Sequence, residues 1–315
     1  KISEYYTYQV NLEKRKEEVK RLIAEKGLLT DELSALINNC DKLIEIEDLY
    51  RPYKEKKKTK ATQAINNGLE PFAKMIMSFK INDVNETAKK FLNDNVKTVD
   101  MAIEGAKYII AEWVSDNASI RKYIRNYTYN NGFLVSKKKK NNADETKVYE
   151  MYYDFKEQVK HIKLYRVLAI NRGEKEDILK VSIDIDSSNI ILNLENRFVK
   201  DKSNLEIKEI VCDAINDSYK RLISPSIERE IRADLKEKAE EVAINNFSTN
   251  LEKLLMTPPI KEKNILGFDP AYRTGCKLAV LNKIGEPLKI DVIYPHEPKN
   301  EYEQAKEKVL NIIEK

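Results

Sequence analysis

Asn264 to Asn282, NILGFDPAYRTGCKLAVLN, decides the fold of the C-terminal part of the chain. Ile265, Leu266 and Phe268 form a short apolar run ending at Asp269, and Pro270 stops it because proline has no N–H to offer a neighbouring strand. The pattern predicts a buried strand with a carboxylate at its tip. After a turn, Cys276, Leu278, Val280 and Leu281 rebuild a strand, and Ile284-Gly285 leads into a third, Leu288 to Tyr294. Glu301 to Ile313 reads as a helix. In this sequence, only that stretch is arranged like a chemical site.

Working outward, the preceding residues read as helix. Leu205 to Arg221 is one, and Ser226 to Met256 a second, with Ile227, Ile231, Leu235, Ala239 and Val242 along one side, Pro225 at its start and Pro258-Pro259 at its end. The second is long enough to act as a spine. Before them, Ile178 to Asp186 alternates Leu179, Val181, Ile183 and Ile185 with Lys180, Ser182, Asp184 and Asp186, the mark of a half-buried strand. Ile190 to Leu194 is expected as its hairpin partner. The alternation puts Asp184 and Asp186 on the wet face, so they are not read as a metal pair. Lys163 to Asn171 is a helix that Gly173 is expected to break.

The first 132 residues carry helical periodicity throughout. Ser3 to Lys26 is amphipathic and closed by Gly27. Thr30 is placed to cap a second helix, and Leu43, Ile46 and Leu49 mark a third up to Arg51-Pro52. Pro71 sits at the start of another, and Ala102, Ile103, Ala106, Ile109, Ile110 and Trp113 line one face between Thr98 and Asp116. Ser119 to Tyr129 ends at Gly132.

At 315 residues the chain has room for about two domains. Its 34% charged content, with 8 glycines and 9 prolines, favours long charged helices over sandwiches. The net charge of +4 is too small to argue for a polyanionic partner, so any such argument rests on how the lysines cluster. The three cysteines, Cys40, Cys212 and Cys276, and two histidines do not form a zinc-site spacing. No run of about 18 apolar residues is present, and the chain reads as cytoplasmic. It opens on Lys1 and closes on Lys315 inside a helical pattern, so both ends look cut. The motifs for phosphate-loop, dinucleotide and serine-esterase chemistry are absent, and no cofactor is expected.

Two basic segments are candidates for nucleic-acid contact. The first carries Tyr50, Arg51, Tyr53, Lys54, Lys56, Lys57, Lys58 and Lys60, lysines to meet phosphates and tyrosines to stack on bases. A solvated linker has the same composition. The second is Lys137, Lys138, Lys139 and Lys140, read as part of an exposed turn after a short strand, Phe133 to Ser136.

The C-terminal layout resembles the opening of a ribonuclease-H-type fold, in which the carboxylate ending the first strand holds a divalent metal. GFDPAYRTGCKLAVL is similar to the start of the YqgF-like domain of the Tex family of bacterial transcription accessory proteins. Upstream, EDLYRPYKEKKKTKATQAINNGLEPFA, LKVSIDID and the stretch from IEREIRADLKEKAEEVAI through TPPI resemble the same family in the same order. The resemblance implies a mainly α protein: a multi-helix region over 1–260 with a small β element near 178–194 and a long helix near 226–256, then a partial ribonuclease-H-like unit over 261–315. It implies that Asp269, Arg273 and Thr274 are the remnant of a metal-dependent site, Asp269 being the one carboxylate placed where that fold holds an ion. It also implies further domains beyond those in this sequence.

Three functions are weighed on that basis. The leading one is a non-catalytic scaffold binding RNA or DNA with little sequence preference. A resolvase-type nuclease acting through Asp269 needs several carboxylates around its metal ions. A platform for the transcription machinery is suited to long charged helices.

Overall fold

The structure, a computed structural model, describes residues 2–314 apart from 57, 141–143, 145–146, 201–203, 259 and 272–273. It is mainly helical, at 61%, with small antiparallel sheets. Two compact units divide the chain, Lys1–Ile244 and Asn245–Lys315.

The large unit opens with α1 (Ile2–Ala24), α2 (Asp31–Asn38) and α3 (Leu43–Tyr50), followed by a 3-10 turn, Arg51–Tyr53. Leu12, Val19, Ile23, Ile37, Cys40, Ile46 and Tyr50 bury one face of each helix in a satellite core. The Thr30 hydroxyl accepts the Leu33 amide at 3.2 Å, the cap expected from sequence. The main core is built on α4 (Lys60–Asn66), α5 (Glu70–Ser78), α6 (Val84–Lys89), α7 (Val99–Ser115) and α8 (Ala118–Asn131). Phe72, Ile76, Ile109, Ile110 and Ile124 are fully enclosed there, each worth about 1.5–3 kcal/mol of burial. Trp113 packs against this core from its margin.

The small sheet of the large unit is three-stranded, with β1 (Phe133–Lys138) in the middle, β2 (Asp154–Gln158) on one side and β3 (Leu179–Asp184) on the other, both antiparallel. The structure corrects the sequence reading here in three places. Ile190 to Leu194 is not a strand but part of α10 (Ser188–Phe198), whose Ile190 and Leu194 are buried four residues apart on one helical face. Asp186 opens that helix by accepting the Ser188 amide at 3.0 Å and hydroxyl at 2.7 Å. Gly173 does not break α9 (Leu164–Lys175) but lies inside it, because a Cβ there would stand 2.7 Å from Leu179 and 2.9 Å from Tyr149. The third correction is that Lys137 and Lys138 belong to β1, held by pairing on both edges.

The helices expected before and after Pro225 are one continuous helix of 51 residues. It runs from α11 (Leu205–Asp217) through a π-helical turn, Ser218–Ile223, into α12 (Ser224–Leu255). Proline lacks an N–H and its ring collides with the carbonyl four residues earlier, and the wider turn just ahead of Pro225 makes room for it.

The second unit holds β4 (Ile265–Asp269), β5 (Cys276–Leu281) and β6 (Pro287–Ile293), in antiparallel order β4-β5-β6, and α13 (Tyr302–Ile313). Cys276, Leu278, Ile293 and Ala305 form its core. The strand expected to be buried, β4, is a partly exposed edge strand, with Phe268 and Asp269 at the surface. One helix covers one face of three strands, too little to enclose the edge.

Candidate nucleic-acid interface

The first basic segment is folded against α7. Arg51 donates to Asp116 at 3.2 Å, and Lys56 reaches both Asp116 and, at 3.3 Å, Glu112. Burial holds the Asp116 carboxyl above its ordinary range, and Lys56 works against that. These two cations therefore satisfy a carboxylate that would otherwise be left in a poor solvent. Lys60 lies 4.5 Å over the Tyr108 ring and donates to its hydroxyl at 3.0 Å. Tyr50 is buried beneath Arg15, 5.7 Å from its ring, and Tyr53 packs against the satellite core while its carbonyl accepts from Lys26. Neither ring is presented for stacking. Lys54 and Lys58 are exposed and make no ion pair with any described residue. Lys57 lies outside the described residues.

The second segment is divided between strand and turn. Lys138 stands 4.5 Å over the Tyr153 ring, Lys139 pairs with Asp177, and Lys140 is exposed. Lys137 is paired in register with Lys180 on one side and Asp154 on the other. Strand alternation puts Phe133, Val135 and Lys137 on one face of β1, with Lys156 opposite Val135 and Lys180 opposite Lys137. That open face forms a cleft of about 540 Å³. Lys156 lies 4.8 Å over the Phe133 ring, which is 37% exposed, and bonds Asp184 at 2.7 Å. Lys156 and Lys180 were absent from the sequence candidates because they are scattered singly, and only the strand register gathers them.

At the tip of β4, Asp269 is exposed and opposite Lys277 in register. Thr274 is exposed in the following turn, and Arg273 lies outside the described residues. Among the described residues no three His, Cys, Asp or Glu side chains are grouped to hold a metal ion. Asp291 faces Lys308 at 3.4 Å; the Val292 amide, then Lys308, holds its carboxyl below the usual range.

Sequence reasoning missed the charged centre of the large unit. Arg121, fully buried, donates to Asp48 at 2.7 Å, to Ser226 at 2.9 Å and to Glu230. Arg125, one turn along α8, reaches Asp48 at 2.7 Å and Glu230 at 2.9 Å. The spacing of Arg121 and Arg125 on a helix was the available signal, but the acids come from α3 and α12. Removing one partner from such a network leaves a buried charge uncompensated, which costs about 3–5 kcal/mol. Its role is to join three helices.

No helix among the described residues is long and apolar enough to cross a membrane. Residues 80–247 match the Tex central region-like family, and residues 263–315 match the Tex protein YqgF-like domain. The chain is 52% identical to the uncharacterized protein YdcI of Bacillus subtilis over 99% of its own length and 44% of that protein. It is 30% identical to the transcriptional accessory protein Tex of Neisseria gonorrhoeae, covering 95% of the chain and 40% of the relative. With the human S1 RNA-binding domain-containing protein 1 it shares 31% identity over 87% of the chain and 29% of the relative. The chain thus spans less than half the length of these relatives, and it belongs to the Tex family.

Proposed function

We propose that this part of a Tex-like transcription accessory protein is a non-catalytic scaffold that binds the phosphodiester backbone of RNA or DNA with little base specificity. The observation that carries the reading is the open face of the small sheet, where Lys156 lies over the partly exposed Phe133 ring and Lys137 and Lys180 stand opposite each other further along, three lysines against the two carboxylates of Asp154 and Asp184. Lysines meet phosphates as point charges and an aromatic ring stacks on any base, so the combination favours a strand without reading its sequence. Lys54, Lys58 and Lys140 are exposed cations that add to it. Residues 1–260 act in this reading as one functional region and 261–315 as the start of the YqgF-like unit. Hydrolysis through Asp269 would need several carboxylates around its metal ions, and the reading takes this part of the protein as non-catalytic. Contact with the transcription machinery belongs to the same proposal, by similarity to the transcriptional accessory protein Tex of Neisseria gonorrhoeae.

The test is a salt titration of binding to labelled single-stranded RNA. Changing Lys137, Lys156 and Lys180 together to Gln is expected to flatten the slope of log affinity against log salt by about 2, at roughly 0.7 per phosphate contact on a single strand. A parent protein that does not bind, or a variant with an unchanged slope, would overturn the sheet face as the interface.

A further inference from the structure

In the basic segments visible in the sequence, Arg51, Lys56 and Lys139 are engaged with the protein's own carboxylates, and a second group of cations lies elsewhere. Between α9 and α12 runs a groove of about 500 Å³. From α9 it receives Arg172 and Lys175, and from α12 Arg229, Arg232 and Lys236. Three carboxylates meet these five cations: Arg172 pairs with Glu176 at 3.0 Å, Lys236 with Glu240 at 3.7 Å, and Arg232 with Glu174, which leaves Lys175 and Arg229 without a carboxylate among the described residues. Glu174 is already bound to Arg232 across the groove, the contact that ties the two helices together. On both helices the cations recur three or four residues apart, the spacing that places side chains on one face. Ala233, exposed between Arg229 and Lys236, leaves the floor open.

We propose that this groove is a second binding site for a nucleic-acid phosphodiester backbone. The inference rests on the nucleic-acid reading above and says where a further stretch of strand is held. Arg172 and Lys175 lie in the last turn of α9, where the helix dipole alone favours cations. That reason does not extend to Arg229, Arg232 and Lys236, which lie in the interior of a continuous 51-residue helix. Lys175 and Arg229 leave the cleft with a surplus of positive charge over the three carboxylates, and that surplus favours an anion. Three of the five are arginines, whose planar fork matches two phosphate oxygens at once. From Arg229 to Lys236 the helix rises about 10 Å, which at about 3.4 Å of axial rise per nucleotide faces about three phosphates of one strand.

The experiment compares the 315-residue chain with Lys175→Gln/Arg229→Gln/Lys236→Gln, which leaves the Arg232–Glu174 pair in place, and with the sheet-face triple variant. A second groove variant, Ala233→Trp, fills the floor without changing charge. The probes are labelled oligouridine, single-stranded DNA and duplex DNA, with polyglutamate as a competitor. The groove triple variant is expected to lose about 2 from the salt slope, additively with the sheet-face variant, and Ala233→Trp to weaken binding with an unchanged melting temperature. If the sheet-face variant loses affinity while both groove variants bind like the parent, the groove is overturned and the broader reading stands. If the parent binds none of the three probes, the broader reading fails with it. Displacement by polyglutamate at equal charge concentration would assign the groove to an acidic protein segment and overturn the proposal.

Discussion

Asp144 shows how much one side chain can hold in place beside the small sheet. Its carboxylate accepts the amides of Val148 at 3.2 Å and Tyr149 at 2.9 Å and the Tyr153 hydroxyl at 2.8 Å. The Tyr149 amide above all keeps the Asp144 carboxyl below its ordinary range. Burial, helped by the bond to Asp144, pushes the Tyr153 hydroxyl up to about 12. The stabilisation from Asp144 is therefore complete above its unfolded value of about 3.9 and is lost as pH falls through the lower folded value. That from Tyr153 is complete below about 10 and is lost as pH rises through about 12. Urea unfolding of Asp144→Asn is expected to show a lower midpoint than the parent at pH 7 and a gap that closes below about pH 4. A gap of constant size across that range would mean the charge of Asp144 is not what stabilises the loop.

At the level of elements, what could be read in the sequence was whatever a short window contains. The Thr30 cap, Pro71 at the head of α5 and the apolar stripe of α7 depend on residues three or four apart, and all stand where periodicity placed them. The β4, β5 and β6 series was legible for the same reason, since strand length and turn residues are local. Ile190 to Leu194 was not, because five residues rich in Ile and Leu satisfy a strand and one turn of buried helix equally well. Gly173 misled because its cause is a neighbour on β3, not the helix it sits in. The candidate interface was legible only in part. Consecutive lysines are conspicuous in a sequence, but Asp116 and Glu112 on α7 and Asp177 after α9 determine which of them are already engaged. Lys156, Lys180 and the α9–α12 groove come together only through tertiary pairing.

Across the whole molecule, the two units differ in how much they bury. The large one encloses long side chains in a continuous core from Ala61 to Ala239, whereas the sheet of the second rests on Cys276, Leu278, Ile293 and Ala305. A core that small gives a low free energy of local opening. The chain's single tryptophan, Trp113, packs against the large core and so reports on that unit. Tryptophan fluorescence should therefore lose its native signal at a higher urea concentration than the one at which amides of β5 exchange freely. Coincident midpoints would show a single cooperative transition instead.

The π-helical turn at Ser218–Ile223 also has a consequence for phase. Ile215 and Ile227, both buried, are twelve positions apart, and at about 100° per residue an unbroken α-helix would aim them about 120° away from each other. With one position fewer, the difference falls to about 20°. The wide turn thus behaves as a single surplus residue stored inside the helix, returning the downstream stripe of Ile227, Ile231, Leu235 and Ala239 to the side that the upstream stripe already faces. Deleting exposed Lys220 together with Pro225→Ala should let the segment close into regular α-helix and keep the fold, as thermal unfolding would show. Deleting exposed Asp234, on a stretch with no residue to spare, should swing Leu235 and Ala239 out of the core and cost far more. Equal losses from the two deletions would mean that the turn carries no such slack.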